Sequence, residues 1–162
     1  MKRIYLFISI LFAIVMSACQ GEKPTVASLK VEMQENPEGV VITQPRFSWQ
    51  IASNTPDLMQ TAYQIQVASS EEDLMQGKNL LWDTKKVKSD QSILIPYEGS
   101  ELSSRQVCFW RVKVFTNQGN SDWSPIGRWS MALLNDADWQ AKWIGEDSLS
   151  NPGETMKGDT RL

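Results

Sequence analysis

CFWRVKVFTNQGNSDWSP, residues 108–125, is the stretch of sequence that decides the fold class. Apolar side chains occupy every second position at its start, and Arg111 and Lys113 lie between them. Alternation with a period of two is typical of a half-buried strand in an antiparallel sheet. The Asn, Gln and Gly residues at 117–120 then predict a turn. The stretch therefore predicts a central strand whose inward-facing residues are Cys108, Trp110, Val112 and Val114.

The same alternation recurs in shorter stretches on both sides of this strand. The predicted inward residues are Leu29, Val31 and Met33 in SLKVEM, Phe47, Trp49 and Ile51 in PRFSWQI, and Tyr63, Ile65 and Val67 in AYQIQVAS. LLWDTKKV (80–87), SILIPY (92–97) and IGRWSMAL (126–133) are further strand candidates. Turn residues separate these stretches in NPEG, SNTPD, SEED and NQGN, and EEDLMQGKN predicts one or two turns of helix.

These patterns predict an all-β fold with seven strands, an immunoglobulin-like or fibronectin type III-like sandwich. Another small all-β fold is the structural alternative. We expect a sandwich over residues 28–134, with Trp49 and Trp110 filling the core from opposite sheets. In SDWS, we expect Trp123 to lie over the outward face of the central strand and to stack on Arg111 or Lys113.

Composition limits the chemistry that this chain can perform. The 162 residues contain no His, so neither a Ser-His-Asp triad nor a histidine zinc ligand can be built. A formal net charge of −3 argues against a nucleic-acid partner, which requires a concentrated basic face. The sequence contains no phosphate-binding glycine loop and no cluster of metal ligands, and we expect no cofactor.

The first residues, MKRIYLFISILFAIVMSAC, read as an export signal with a positive start and a short apolar run. MSAC resembles the lipobox of bacterial lipoproteins, although Met16 stands where Leu is more usual. By that resemblance residues 1–18 are a lipoprotein signal peptide, and Cys19 becomes the lipid-bearing N-terminus. An ordinary signal peptide with an incidental Cys is the alternative. Residues 19–27 then form a tether, and the protein is an exported lipoprotein of the periplasm or cell surface, held at the outer membrane.

Seven motifs in order point to a family. They are NPEGV, PRFSWQI, QTAYQIQVAS, LLWDTKKVKSDQS, YEGSEL, FWRVKVFTNQGNSDWS and DWQAKWIG. Together they resemble the N-terminal region of bacterial α-L-rhamnosidases of glycoside hydrolase family 78, over residues 28–145. The resemblance implies a fibronectin type III-like first domain, with DWQAKWIG entering a larger second β-sandwich. A later (α/α)6 barrel carries the acidic pair of that family's inverting mechanism. No residue here matches those catalytic motifs, and Cys108 stands where family members often carry Tyr.

The resemblance implies that residues 135–162 are a linker and the truncated start of the second β-sandwich. Their last part, EDSLSNPGETMKGDTRL (146–162), is polar and poor in apolar residues, and we expect it to be disordered. Asp83, Asp122, Glu146 and Asp147 are the candidate acids for catalysis by the chain itself, but a small sandwich offers no deep cleft for an acidic pair. We interpret Cys108 as a buried apolar residue rather than a nucleophile.

Three readings of function follow. The first is the non-catalytic N-terminal portion of an exported α-L-rhamnosidase, whose partners are the remainder of that polypeptide and, through Cys19, the membrane. The second is a stand-alone lipid-anchored module that binds carbohydrate, such as rhamnose-containing glycans, or protein. In either reading the candidate contacts with carbohydrate or with another domain are Trp82, Trp123 and Trp139. The third is an enzyme in its own right.

Overall fold

The computed structural model describes residues 23–140, in which two antiparallel sheets pack face to face. A three-stranded sheet has the order β1-β2-β5, and a five-stranded sheet has the order β4-β3-β6-β7, with β8 paired to β6. In chain order the elements are β1 (Thr25–Val31), β2 (Arg46–Ala52), β3 (Gln60–Ala68), α1 (Glu71–Gln76), β4 (Trp82–Asp83), β5 (Ile95–Pro96), β6 (Val107–Thr116), β7 (Gly119–Asn120), β8 (Gly127–Ser130) and a 3-10 turn (Asp136–Asp138).

The described part of the chain has the predicted immunoglobulin-like sandwich architecture. It contains eight strand segments, whereas the sequence predicts seven. The additional segment is β7: after the turn at 117–118 the chain folds back, and Gly119 pairs with Thr116. EEDLMQ forms the single short helix α1 in this part of the chain. No helix within residues 23–140 is long and apolar enough to cross a membrane.

Strand β6 is central, as the alternation predicts. It pairs with β3 along most of its length and with β7 and β8 on its other edge. Its even-numbered residues from 108 to 114 are each at most 1% exposed, whereas the odd-numbered residues between them are partly exposed. The period-two pattern therefore assigns the two faces of β6 correctly.

Aromatic rings from both sheets form the centre of the core. The Phe47 ring on β2 lies 4.6 Å from Trp110 on β6 and 5.4 Å from Trp129 on β8, measured between ring centroids. Trp49 packs edge-on against Tyr63, and its indole N–H donates to Gln60 Oε1 at 3.1 Å. This hydrogen bond satisfies the polar atom of a ring that is almost fully buried. Trp49 and Trp110 thus fill the core from opposite sheets, as predicted.

Strand β1 departs from the prediction. The sequence pattern places Leu29, Val31 and Met33 on one inward face, but the strand ends at Val31, and Met33 is 53% exposed. A bulge between Ala27 and Lys30 inserts an extra residue. Because a bulge changes which side chains face inward, Val26 and Val31 are both buried although they are five positions apart. Met33 is exposed for a different reason: it lies beyond the end of the strand, in a tight turn in which Glu32 and Met33 have φ angles of 48° and 64°. The prediction that Met33 faces the core is therefore wrong.

Two segment boundaries also differ from the sequence prediction. Strand β1 begins at Thr25, so the last residues of the predicted 19–27 tether are part of the sheet. SEED, predicted as a turn, begins helix α1 instead: the Ser70 hydroxyl accepts a hydrogen bond from the Asp73 amide at 3.1 Å and caps the helix. The predicted signal peptide, Cys19 and the greater part of the predicted tail lie outside the described residues.

Candidate functional site

Asp83, the candidate acid on β4, belongs to a hydrogen-bonded network on the outer face of the five-stranded sheet. Its carboxylate accepts hydrogen bonds from the side chains of Gln64 at 2.8 Å and Gln66 at 3.1 Å, and from the Lys85 ammonium at 2.8 Å. Burial alone would raise the pKa of the Asp83 carboxyl, but these donors and the Lys85 amide outweigh it and lower the pKa to about 2. A carboxylate with such a low pKa stays ionised at neutral pH, so it is unsuited to donate or accept a proton in catalysis. Its hydrogen bonds instead fix the positions of the neighbouring side chains.

The network extends to Trp123. Gln66 Oε1 accepts hydrogen bonds from the Arg111 guanidinium at 3.0 and 2.8 Å. The same guanidinium lies 4.4 Å from the centroid of the Trp123 ring. The predicted cation–π contact is therefore present, with Arg111 rather than Lys113 as the partner. Arg111 covers one face of the Trp123 ring, which limits the ring surface left for any other ligand.

Trp82 lies at the rim of the core. Its ring stacks against Phe47 with 5.9 Å between centroids and meets Tyr97 edge-on at 5.3 Å. The side chain is half-buried and packs against the hydrophobic core. Whether Trp82 also contacts carbohydrate or another domain stays a prediction.

Trp139 is the most exposed of the three candidate tryptophans, at 62%. It directly follows the 3-10 turn at 136–138, near the end of the described chain. The turn is held by Asp138, whose carboxylate accepts a hydrogen bond from the Ser104 hydroxyl and two longer ones from Asn135, both at 3.3 Å. The Leu134 amide in turn donates to the Ser104 oxygen at 2.8 Å. Ser104 and Asn135 together lower the pKa of the Asp138 carboxyl.

Two adjoining grooves lie at this end of the sandwich. One, of about 560 Å³, is lined by residues from three segments that include Thr43, Ser104 and Asp138. The other, of about 350 Å³, shares Thr43, Glu101 and Leu102 with the first. We call this surface, formed by groove-lining residues within 43–44, 97–104 and 134–138, the exit end, because the described chain leaves the sandwich there.

Two exposed apolar residues that the sequence analysis did not single out directly precede the exit end in the sequence. Val41 is 69% exposed and Ile42 is 42% exposed, and both precede Thr43 at the grooves. A signal was available in the run VVIT at 40–43, because side chains at consecutive positions cannot all face one core. Val40 is the buried member of the run, and its backbone pairs with Ser130 and Ala132.

A third groove, of about 410 Å³, lies beside β1 and β2 and includes Met33 and Ile93, both more than half exposed. In contrast to the exit end, it involves no residue near the end of the described chain.

Two of the four candidate acids, Asp83 and Asp122, lie in the described part of the chain, and each is paired with a lysine. Asp83 is bound to Lys85, and Asp122 pairs with Lys23 at 3.1 Å on the surface. Residues 23–140 contain no group of three or more His, Cys, Asp or Glu side chains that could hold a metal ion. The remaining candidate acids, Glu146 and Asp147, lie outside the described residues, as does Cys19.

Comparison with known proteins agrees with this architecture. The family described as Rha78A-like, N-terminal immunoglobulin domain matches residues 26–135. The α-L-rhamnosidase of Alteromonas sp. (strain LOR) is 40% identical over 148 residues, a match that covers 86% of this chain and 16% of that protein. The chain thus spans about a sixth of the length of that relative.

Solved structures give the same result. The crystal structure of Streptomyces avermitilis α-L-rhamnosidase complexed with L-rhamnose matches with a TM-score of 0.70 and 40% identity, covering 75% of this chain and 12% of that chain. The structure of α-L-rhamnosidase from Dictyoglumus thermophilum matches with a TM-score of 0.72 and 35% identity, covering 79% of this chain and 14% of that chain.

Proposed function

The chain belongs to the family of Rha78A-like N-terminal immunoglobulin domains, and from this membership we propose that it is the non-catalytic N-terminal sandwich of an exported α-L-rhamnosidase. In this proposal the reaction, inverting hydrolysis of terminal α-L-rhamnosides, belongs to a catalytic domain elsewhere in the polypeptide. The remainder of that polypeptide is the principal partner of the sandwich.

The observation that carries this proposal is the extent of the match. Residues 26–135 fit the family as one unit, and the matching relatives are α-L-rhamnosidases of which this chain spans about 16% or less. The side chains support it as well, because the two candidate acids in the described residues, Asp83 and Asp122, are each paired with a lysine.

Two experiments test the proposal. Sequencing the source DNA beyond codon 162 should reveal an α-L-rhamnosidase reading frame, either continuous with this one or resumed after a frameshift. A stop codon followed by nothing related to a rhamnosidase would contradict it. The purified 162-residue chain should not hydrolyse an aryl α-L-rhamnoside, and turnover that tracks with the chain would show that the chain is itself the enzyme.

Export and anchoring form a separate part of the proposal. The signal-like start and the lipobox-like MSAC support lipidation at Cys19, which would hold the sandwich at the outer membrane. Metabolic labelling with a fatty-acid probe should mark the wild-type protein, and the Cys19→Ala variant should lose both the label and membrane fractionation. Cys108 remains in that variant as the matched internal cysteine. Label retained in Cys19→Ala would refute lipidation at this position.

One observation favours the second candidate function, a lipid-anchored carbohydrate-binding module. Trp139 is 62% exposed, and an exposed indole can stack on a sugar ring. Calorimetry with rhamnose-containing oligosaccharides should then give binding that Trp139→Ala abolishes. Absence of heat with the wild-type chain would exclude such binding for those glycans.

A further inference from the structure

We propose that the outer face of the five-stranded sheet binds an acidic polysaccharide, with Lys86, Arg111 and Lys113 pairing with the carboxylates of its sugars. We call the surface formed by Gln64, Lys86, Arg111, Lys113 and Phe115 the basic face. All five residues belong to the sandwich itself, so this role goes beyond the proposed function and does not depend on it. It also differs from the second candidate function, because the ligand lies on a sheet face and must carry negative charge.

Strand register and direct contacts join these residues into one surface. Arg111, Lys113 and Phe115 are partly exposed and alternate along β6 with buried residues, so their side chains share the outer face at intervals of about 6.5 Å. Lys113 is the cross-strand partner of Gln64 on β3. The Lys86 ammonium, from the segment that follows β4, lies 4.1 Å from the centroid of the Phe115 ring. The three cations therefore extend across neighbouring strands of one sheet.

The basic face carries positive charge that no neighbouring carboxylate balances. None of its three cations forms an ion pair with a described residue. The adjoining carboxylate, Asp83, is already paired with Lys85 at 2.8 Å, and Asp122 beside Trp123 is paired with Lys23. The chain as a whole has a formal net charge of −3, so the face is a local exception in sign, and such a field concentrates anions.

Arg111 is held in position and still has donors to offer. Its Nε and Nη2 atoms donate to Gln66 Oε1, and the guanidinium lies over the Trp123 ring. Three of its five N–H groups make no hydrogen bond to a described residue. Burial lowers the pKa of this guanidinium, and the nearby Asp83 only partly offsets the effect, so its charge is incompletely compensated. A planar guanidinium with free N–H groups suits a carboxylate, which it can bind through two parallel hydrogen bonds.

The composition of the face favours a polysaccharide over an acidic protein. Lys86 lies over the Phe115 ring and Arg111 over the neighbouring Trp123 ring. The face therefore lacks the exposed apolar centre typical of protein interfaces, and it contains lysines, in which such interfaces are depleted. It offers cations for carboxylates, and for a sugar hydroxyl it offers Gln64 Oε1, which accepts no hydrogen bond from a described residue.

Titration calorimetry of the purified 162-residue chain with polygalacturonate, which carries a carboxylate on each sugar, provides the test. We expect binding that Lys86→Gln combined with Lys113→Gln weakens about tenfold in Kd, the combined effect of two exposed ion pairs. Raising the salt from about 0.05 M to about 1 M should also weaken binding, because the screening length falls to about 3 Å. Neither lysine forms an ion pair in the described structure, so the double variant should unfold at the wild-type temperature. Absence of wild-type binding at low salt would overturn the proposal.

Two control variants make the test specific. Lys30→Gln combined with Arg105→Gln removes the same charge from other places, since Lys30 lies on β1 in the opposite sheet and Arg105 precedes β6. This variant should keep the wild-type Kd, and an equal loss of affinity would show that net charge rather than the basic face attracts the polymer. Trp139→Ala should also leave binding unchanged. A loss in that variant alone would place the ligand at Trp139 and overturn the proposal.

Two further polymers separate the ligand classes. Dextran, a neutral polysaccharide, should not bind, and affinity equal to that for polygalacturonate would show that the charge of the sugar is not recognised. Polyglutamate presents carboxylates without sugar rings. If it binds as tightly as polygalacturonate, the face fits an acidic protein instead, and the polysaccharide is the wrong ligand. None of these results bears on the reading frame beyond codon 162, so the proposed function stands or fails separately.

Discussion

Gly127 on β8 lies directly against the indole of Trp110, its cross-strand partner on β6. A β-carbon at position 127 would lie 2.4 Å from Trp110 Nε1 and 3.0 Å from two carbon atoms of the same ring. The indole is 1% exposed and packs on Phe47, so it has little freedom to move away. The glycine is therefore required by the space that the tryptophan occupies.

Gly127→Ala should destabilise the sandwich by about 1–3 kcal/mol, the usual cost of overpacking a core. Equilibrium urea denaturation measures the loss. Combining it with Trp110→Phe, which shortens the ring, should give a total loss smaller than the sum of the two single losses, because the smaller ring relieves the contact. Strict additivity in this double-mutant cycle would show that the clash at Trp110 is not the cause.

Trp110→Ala should reduce the free energy of unfolding by about 3–5 kcal/mol, because it removes a fully buried aromatic ring from the centre of the core. Trp123→Ala is the matched control on the outer face of the same sheet. There the main loss is a cation–π contact with Arg111, which contributes about 0.5–1 kcal/mol at exposed sites. Thermal unfolding of both variants measures the difference. Equal losses would contradict the assignment of the two ring positions.

Asp83 should make stability depend on pH in the acid range. Its folded-state pKa, about 2, is below the ordinary Asp value of 3.8, so the unfolded chain binds the proton more readily. The stabilisation is therefore complete above about pH 4 and is lost as the pH falls through about 2. Asp83→Asn should cost about 1–2 kcal/mol at neutral pH, with allowance for the exposed Lys85 partner.

The difference in stability between wild type and Asp83→Asn should shrink between pH 4 and pH 2, as measured by urea denaturation at each pH. Asp122→Asn provides the control, since its ion pair with Lys23 is exposed on both sides and its loss should change little. A pH-independent gap between wild type and Asp83→Asn would refute the role of the charge.

Cys108 should be unreactive in the folded protein. Its side chain is fully buried, and burial raises the pKa of the thiol to about 12, so almost no thiolate exists at pH 8. In the Cys19→Ala variant, which leaves Cys108 as the single cysteine, an aromatic disulfide reagent should label the thiol only as the sandwich opens. Denaturant should accelerate labelling in parallel with unfolding. Rapid labelling under native conditions would show that the thiol is accessible.

Sequence patterns predicted the strands in which the alternation of apolar and polar residues matches the alternation of buried and exposed side chains. The faces of β2, β3 and β6 follow directly from the residues, because a pleated strand directs successive side chains to opposite sides. The stacking of Trp123 on a cation of β6 was also predictable, since SDWS follows the strand closely enough to fold back over its outer face. The sequence left Arg111 and Lys113 as alternatives, and the structure has Arg111. In contrast, β1 contains a bulge that changes the parity of its buried residues, and it ends at Val31 in a tight turn. Periodicity alone continued the strand through Met33, which lies in that turn.

The candidate surface was less predictable than the fold. Trp139 was identified from its residue type, but the grooves beside it are formed by segments around Thr43, Ser104 and Asp138 that are far apart in the sequence. Nothing local in SSRQ or NDAD indicates that Ser104 would bind Asp138. The same is true of Asp83, which the sequence suggested as an acid and which two glutamines and a lysine hold in a structural network.

The sequence by itself determined the all-β class, the inward faces of the principal strands and the membership of a family, since each depends on residue types and short-range spacing. It also excluded any role for histidine, because the 162 residues contain none. Only the tertiary structure decided the role of Asp83, the fit of Gly127 against Trp110 and the position of the exit end. These depend on pairs such as Ser104 and Asp138, or Gln66 and Arg111, which are more than thirty residues apart in the sequence, so that their side chains meet only after folding has brought distant strands and loops together.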